Sequence, residues 1–355
     1  MTTIREKLER MEENYLAPYA LKSSQSKGRE RPEEADSIRT CFMRDRDRII
    51  HSKSFRRLKH KTQVYISPEN DHYRTRLTHT LEVSQISRTV GKALGLNTDL
   101  IEAIALGHDV GHTPFSHTGE AVLNRLLPGG FRHNENSVRV LTHIEQGKRG
   151  SGLNLSQETL TGILYHSGLE KDDSGYNTLE GQVVRFADKI AYLQHDIDDS
   201  IRADVLRLAD IPREYLEVLG KGHGERIATL VQDLVQNSSK NINSGQHKIS
   251  LSLPVQETLK GLRKFMFDLV YLGPLCMVER QRAIYVVEFL FDYYVQNYER
   301  LPAFYCKIAQ DEGIERGVAD YISGMTDNYC IATFEDLVIP RSYVHEIRMS
   351  RSSSL

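Results

Sequence analysis

The stretch TDLIEAIALGHDVGHTPFSHTGE, residues 98–120, decides the fold. Thr98 reads as an N-cap, Asp99 and Glu102 suit the positive end of a helix, and Ile101, Ile104, Ala105 and His108 recur along one stripe. Gly111 and Thr113-Pro114 then disfavour continuation, because the residue before a proline is pushed out of the helical region. His108 therefore falls where a core side chain is expected, and Asp109 follows Ala105 by one turn. An imidazole and a carboxylate facing a core are costly unless paired or ligated, so this helix implies a partner.

Working outward, residues 75–94 predict a second helix, with His79, Val83, Ile86, Val90 and Leu94 on one face and a stop at Gly95-Leu96-Asn97. Downstream, VVRFADKIAYLQHD (183–196) lies in a long helix expected from Leu179 to about Arg207, and Asp188 follows Val184 by four. Taken singly, each of these polar residues reads as a hydrogen-bonded core group. Four of them on three helices, His79, His108, Asp109 and Asp188, read better as ligands of one divalent cation, which satisfies all four at once. Mixed nitrogen and oxygen donors suit Mn, Fe, Co or Ni, and Mg when phosphates complete the shell; Mn or Mg is the expectation for assays.

Further helices are expected at Ser116–Leu127, Asn136–Gln146 and Ser156–Tyr165, and a broadly helical stretch from Ser37 as N-cap to about Tyr65, interrupted by SPENDHY (67–73). RERPEEAD (29–36) reads as an exposed connector and NSSKNINSGQHKIS (237–250) as a polar loop. Residues 256–297 look helical with a break at Gly273-Pro274, the signal beyond Leu301 is weak, and the final SSSL reads as frayed. Alternating strand patterns are few and no repeat period is evident, so the architecture expected is mainly α.

A chain of 355 residues, 39% hydrophobic and 26% charged, has ample core for one large domain or one with an appendage. We divide it into a polar segment at 1–36, a core at 37–210 that carries the four candidate ligands, and a mainly helical part at 211–355 packed on that core. The charged N-terminus has no apolar leader, no apolar run reaches membrane-spanning length, and Cys41, Cys276, Cys306 and Cys330 form no CxxC pair. A reducing cytoplasm is expected, with no membrane partner. The net charge of -2 argues against a protein devoted to long polynucleotides. A basic run from Arg44 to Lys61, continued by Arg74 and Arg76, is either a solvated face or a surface for a compact polyanion or a single strand.

The order H79…H108-D109…D188 resembles the HD superfamily signature, and HDVGHTPFSHTGE (108–120) is similar to the longer form found in deoxynucleoside triphosphate triphosphohydrolases. FRRLKHKTQV (55–64), RTRLTHTLEVSQI (74–86), RHNENSVRVL (132–141), NLSQETLTGILYHSG (154–168) and RFADKIAYLQHDIDD (185–199) resemble that family's blocks in order. The resemblance spans about 36–205, is closest to the bacterial dGTPase-like branch, and implies an HD-domain helical bundle with additional C-terminal helices.

That resemblance implies attack of water on an α-phosphorus, releasing a deoxynucleoside and inorganic triphosphate. Spacing places His117 and Glu120 together on one helical face, and the matching family pair is assigned to acid/base work. The resemblance further implies that His112 and His133 face the phosphates, that Arg76, Lys189 and Tyr192 hold phosphate, and that Gln63 and Asp196 take the sugar 3′-OH. Asp188, Tyr192 and Asp196 follow one another along one side of their helix, so a ring wedged against the sugar would exclude a 2′-OH by crowding. Family members are typically homo-oligomers, often hexamers, and an activating dNTP is compatible with the pattern. Two other readings compete: another HD phosphohydrolase (a nucleoside monophosphatase or phosphodiesterase), or a regulator that binds nucleotides or single-stranded nucleic acid. The base preference and the role of the C-terminal region are not legible.

Overall fold

A computed structural model describes residues 2–63, 74–147, 150–167, 178–271 and 273–340, with residues 274–276 described by backbone alone. The SPENDHY turn, Cys276 as a side chain and the serine-rich end fall outside this description. The architecture is mainly α: the described residues hold sixteen α-helices and one antiparallel pair of two-residue strands, Gln146–Gly147 and Gly150–Ser151. No helix among the described residues is long and apolar enough to cross a membrane.

Helices α1 (Ile4–Tyr15), α2 (Cys41–Ile50) and α3 (Lys53–Arg57) lead into α4 (Arg76–Ala93), α5 (Thr98–Gly107), α6 (Ser116–Leu126), α7 (His133–Arg139), α8 (Gln157–Leu164) and the long α9 (Leu179–Arg202). The chain continues through α10 (Arg213–Leu219), α11 (His223–Asn243), α12 (Leu253–Met266), α13 (Pro274–Gln296), α14 (Ala303–Glu312), α15 (Ile314–Ser323) and α16 (Asp327–Val338). A single wide turn, Phe267–Tyr271, extends α12 before the expected break at Gly273-Pro274.

Helix α5 is the axle. Leu100, Ile101, Ala103, Ile104, Ala105, Leu106 and Gly107 are all buried, and α2, α4, α8 and α9 pack around it. Its cap is Asn97 rather than Thr98, since the Asn97 side chain accepts the amides of Asp99 and Leu100. The helix also ends earlier than expected, at Gly107. His108 is its C-cap and Asp109 lies in the turn beyond, where Gly111 runs so close to α7 that a Cβ would meet the Ser137 amide nitrogen at 2.1 Å.

Other departures have equally local causes. Thr40, not Ser37, caps α2. Residues 237–243 are helical rather than looped, because Ser238 is buried and Asn237 and Ser238 bond the returning chain at Ser250 and Leu251. The 29–36 connector is packed: Arg29 donates to the buried Asp45 carboxylate and to the Asn154 carbonyl, and Glu33 accepts from Arg48 at 2.8 Å. Beyond Leu301, where the pattern is weak, α14, α15 and α16 form a compact helical end.

The basic run is largely spent within the chain. Arg44 and Arg48 pair with Glu33, Arg46 with Asp47 and Glu102, and Arg74 with Asp198 and Asp199. Arg57 donates to the Gly324 carbonyl, and Lys61 to the carbonyls of His112 and Ser323.

Two apolar clusters form the interior. The first joins α4, α5 and α9 to Leu230 and Leu234 of α11 and Leu259, Leu262 and Met266 of α12. The second joins Phe115 and Val122 and Leu123 of α6 to Val287 and Leu290 of α13 and Val318 and Ile322 of α15. Each cluster takes residues from both sides of residue 210.

Candidate active site

Four elements bring the predicted ligands together. His79 and Asp188 face each other from the packed pair α4 and α9, with His79 Nε2 3.1 Å from Asp188 Oδ1. His108 Nε2 lies 3.5 Å from Asp109 Oδ2 and 3.7 Å from Asp188 Oδ1, and His79 Nε2 lies 3.9 Å from Asp109 Oδ2. Ligands about 2.1 Å from one centre stand roughly 3.0 Å apart at right angles and roughly 4.2 Å apart across it, so every one of these separations fits a shared ion.

The tautomers fit as well. His108 Nδ1 is 2.6 Å from the Ala105 carbonyl, which places the ring proton there and leaves Nε2, buried and without a hydrogen-bond partner, as a lone pair aimed into the cluster. His79 Nδ1 is 3.5 Å from His195 Nδ1, and His195 Nε2 is 2.9 Å from Glu82 Oε2. Burial holds His195 down at about 4 despite Glu82, so it stays neutral and can accept from His79 while donating to Glu82. Burial alone would raise both carboxyls; for Asp109 the neighbouring His108 and the Arg76 guanidinium outweigh it, and for Asp188 the contact with His79 does, so both lie below the usual range.

The predicted acid/base cluster also assembles. His117 Nδ1 is 3.1 Å from Glu120 Oε2, while His133 meets Glu120 Oε1 at 2.8 Å through both its backbone amide and its Nδ1. The His112 ring stacks on His133 with centroids 4.6 Å apart. Burial pushes the Glu120 carboxyl up, but hydrogen bonds from His117 and His133 prevail and hold it well below the usual range. His112 is a loop histidine yet buried; burial, then Arg76 and His133, pull it well down and leave it neutral.

The loop between His112 and α6 is strained. Phe115 and Ser116 are both left-handed, at φ 58 and 56, a conformation that costs about 1–3 kcal/mol for a residue with a side chain. Three contacts hold it: the Phe115 amide donates to Asp327 Oδ1 at 3.0 Å, Thr113 Oγ1 donates to the Ser116 carbonyl at 2.8 Å, and Arg76 Nη2 donates to Ser116 Oγ at 2.8 Å. The other Arg76 arm donates to Asp109 Oδ2 at 2.6 Å.

Along α9 the remaining predicted residues follow in order. The Lys189 ammonium sits 6.0 Å from the Phe186 ring centroid. Tyr192 lies between His117, at 6.3 Å, and Tyr271, on which it stacks at 6.2 Å. Asp196 is fully buried, takes the Tyr271 phenol on Oδ2 and has no hydrogen-bond partner on Oδ1; burial, then Asp199, pushes its carboxyl well up. Gln63 is buried beside the start of α4, where Thr62 bridges to Thr75, and its Oε1 also has no hydrogen-bond partner.

Five residues were not singled out from sequence. His195 and Glu82 stand behind His79, Tyr271 covers Asp196, and Asp327 of α16 braces the strained loop. His166, just after α8, meets His133 with Nε2 atoms 3.2 Å apart. For His166 a signal existed: like His108, it follows an apolar helix and turns its Nδ1 onto the carbonyl three residues back.

Comparison with known proteins agrees with this geometry. The HD domain model matches residues 76–193 and the phosphohydrolase-associated domain model matches residues 249–336. Fold and matches together define an HD-domain phosphohydrolase. A Clostridium tetani protein is 54% identical over 345 residues (97% of this chain, 98% of that protein), and one from Clostridium perfringens strain 13 is 57% identical over 338 residues (95% and 98%). A more distant relative from Geobacter sulfurreducens is 39% identical over 367 residues (92% and 95%). All three carry the name deoxyguanosinetriphosphate triphosphohydrolase-like protein, and the chain belongs to that family.

Proposed function

We infer that the chain hydrolyses deoxynucleoside triphosphates to a deoxynucleoside and inorganic triphosphate, using a divalent cation held by His79, His108, Asp109 and Asp188. The observation that carries this reading is the second cluster beside the first: His117 and His133 hydrogen-bond to the Glu120 carboxylate and His112 Nε2 lies 4.0 Å from it, next to the Arg76 guanidinium. A site that only bound a metal would not need it.

A cation in the four-residue site would supply polarisation of the phosphoryl group and a more acidic water. The rest falls to the chain. Water's oxygen bonds to the α-phosphorus, the bond to O5′ breaks, and His117, held by Glu120, gives the proton that O5′ requires. The exposed His117 is placed to meet a substrate arriving from solvent, whereas neutral His112 and the stacked His133, whose pKa burial lowers but Glu120 raises overall, line the wall behind it. Arg76 and Lys189 hold the phosphates. Asp196 Oδ1 and Gln63 Oε1, both buried acceptors without partners, suit a sugar 3′-OH, and the stacked rings of Tyr192 and Tyr271 form the wall against a 2′-OH. The relatives' names favour dGTP as the first substrate to test, in a homo-oligomer that an activating dNTP could regulate. A single-strand-binding role has thin support, since most of the basic run is paired internally.

The test is product analysis on the four dNTPs, singly and mixed, with Mn, Mg, Fe, Co and Ni. Triphosphate as the phosphorus product is expected, and orthophosphate or pyrophosphate would move the reading to another HD phosphohydrolase. Asp188→Ala should lower bound metal and turnover together; full metal occupancy in that variant would sink the ligand assignment.

A further inference from the structure

Helix α1 lies on the body with its apolar side outward. Ile4, Leu8, Met11 and Tyr15 recur at the four-three-four spacing of one helical stripe, yet none of them is buried, and Ile4, Met11 and Tyr15 are 52%, 64% and 75% exposed. What fastens the helix is its polar side: Arg5 donates to the Asp36 carbonyl at 3.1 Å, and Glu12 accepts the Ser23 amide at 2.6 Å and the Ser23 hydroxyl at 2.7 Å. A single exposed apolar side chain is ordinary, but a whole stripe of them on a helix held by its polar side asks for a cover.

The stripe runs into a groove. Tyr15 also lines an open cavity of about 680 Å³, along which Ile50 at the end of α2 and Leu81 of α4 are exposed as well. Arg88 and Lys92 of α4 set two cations on the same groove, with Glu102 3.5 Å from Arg88. The C-terminal half of α1 has the opposite character: it carries Glu12 and Glu13, has no basic residue in its last turn and ends on the negative pole of the helix dipole. One chain therefore holds both halves of a contact, an apolar stripe with an acidic end and an apolar groove with a basic side. Tyr15 belongs to both.

We propose that a second copy of this chain covers this face, in an isologous contact whose two-fold axis passes beside Tyr15, so that each α1 stripe seats on the other copy's groove. A two-fold contact needs a surface that is its own complement, and the residue common to stripe and groove marks where the axis falls. Charge selects the occupant: the acidic end of the partner copy's α1 meets Arg88 and Lys92, whereas a polyanion laid on the same face would also meet Glu12 and Glu13. The proposal deepens the homo-oligomer of the proposed function and does not depend on the reaction assigned there.

The experiment is sedimentation velocity on the full-length protein over a concentration series, with Tyr15→Glu and Leu81→Arg beside the wild type. Both positions are exposed, so neither change empties the core. Each change occurs twice in an isologous contact, and the dissociation constant should rise by on the order of 10-fold or more. Tyr15→Cys should in addition give a disulfide-linked dimer under mild oxidation, which the wild type and Leu253→Cys, exposed on α12, should not. An oligomeric wild type whose variants assemble as it does, with no cross-link through Tyr15→Cys, overturns this face and leaves the homo-oligomer standing. A wild type that stays monomeric throughout overturns both, while triphosphate release from dGTP, measured on the same samples, reports on the reaction by itself. If Tyr15→Glu or Leu81→Arg fails to fold by circular dichroism, the Tyr15→Cys cross-link decides.

Discussion

Asp327 sits at the start of α16, far along the chain from the HD residues, and its carboxylate binds two of their loops at once. Oδ2 accepts the Thr62 amide at 2.9 Å and Oδ1 accepts the Phe115 amide at 3.0 Å, with the side chain buried. Asp327→Ala removes both bonds and strands two amides. Hydrogen bonds to a charged group are worth about 1.5–3 kcal/mol each, so the pair amounts to roughly 3–6 kcal/mol before relaxation. Some water will reach the vacated space, and we expect a loss of about 3–4 kcal/mol in urea unfolding, a large share of the 5–15 kcal/mol typical of a folded protein. Asp327→Asn keeps one carbonyl acceptor and should lose about half as much. The kinetic consequence is separate. Phe115 and Ser116 are left-handed only because they are held, and the loop positions His112 and His117; a shift of about 1 Å there costs on the order of 10²-fold in turnover. Unfolding curves and kcat with saturating Mn and dGTP, at a temperature where the variant is folded, provide the check. A loss below about 1 kcal/mol with unchanged kcat would show that the loop holds itself and that α16 is only a neighbour.

Other expectations follow from the same contacts. His117→Ala should lower kcat by on the order of 10²–10⁴ while bound metal stays at the wild-type level; near-normal kcat across pH would move proton transfer to His112 or His133. Tyr192→Ala, and Tyr271→Ala with it, should weaken dNTP over NTP discrimination, whereas poor use of 3′-deoxy analogues should persist in Tyr192→Ala; an unchanged ratio of kcat/KM in both variants defeats the crowding argument. Burial lowers the Lys61 ammonium to about 7, against about 10.4 in an unfolded chain. Between those values the unfolded state binds the extra proton, so this group's contribution rises with pH, by at most about 1.4 kcal/mol per unit, and is smallest below pH 7. Lys61→Met should flatten that slope, and an equal slope in wild type and variant would remove Lys61 as its source.

The parts of this molecule that could be read from sequence are those whose evidence is local. The stripe of His79, Val83, Ile86 and Val90 announces α4, and a polar residue interrupting such a stripe announces itself as costly. His117 and Glu120 share one helical turn, so their contact follows from spacing. Tyr271 could not be found this way. It sits among Phe265, Met266 and Phe267, where an aromatic reads as packing, and what distinguishes it is a partner 75 residues away. Asp327 resembles any acidic residue in the first turn of a helix, a place that favours a carboxylate whatever it touches. The α5 helix ends earlier than its sequence pattern indicates because the turn at Gly111 is imposed by the backbone of α7, a constraint that no window around residue 111 contains.

The proposed metal ligands and the proposed proton donor are mounted on different foundations. His79 and Asp188 belong to helices anchored in the first apolar cluster, while His117 and Glu120 ride on α6, whose Val122 and Leu123 belong to the second. The gap between a bound phosphorus and the imidazole that serves it is therefore a relative coordinate between two bodies, set by how they seat against each other. Trimming Val287 or Val318, both members of the second cluster, would alter that seating and leave the four proposed ligands in place. Such variants would load metal normally and still turn over slowly, so that a packing defect would present itself at the bench as a catalytic one.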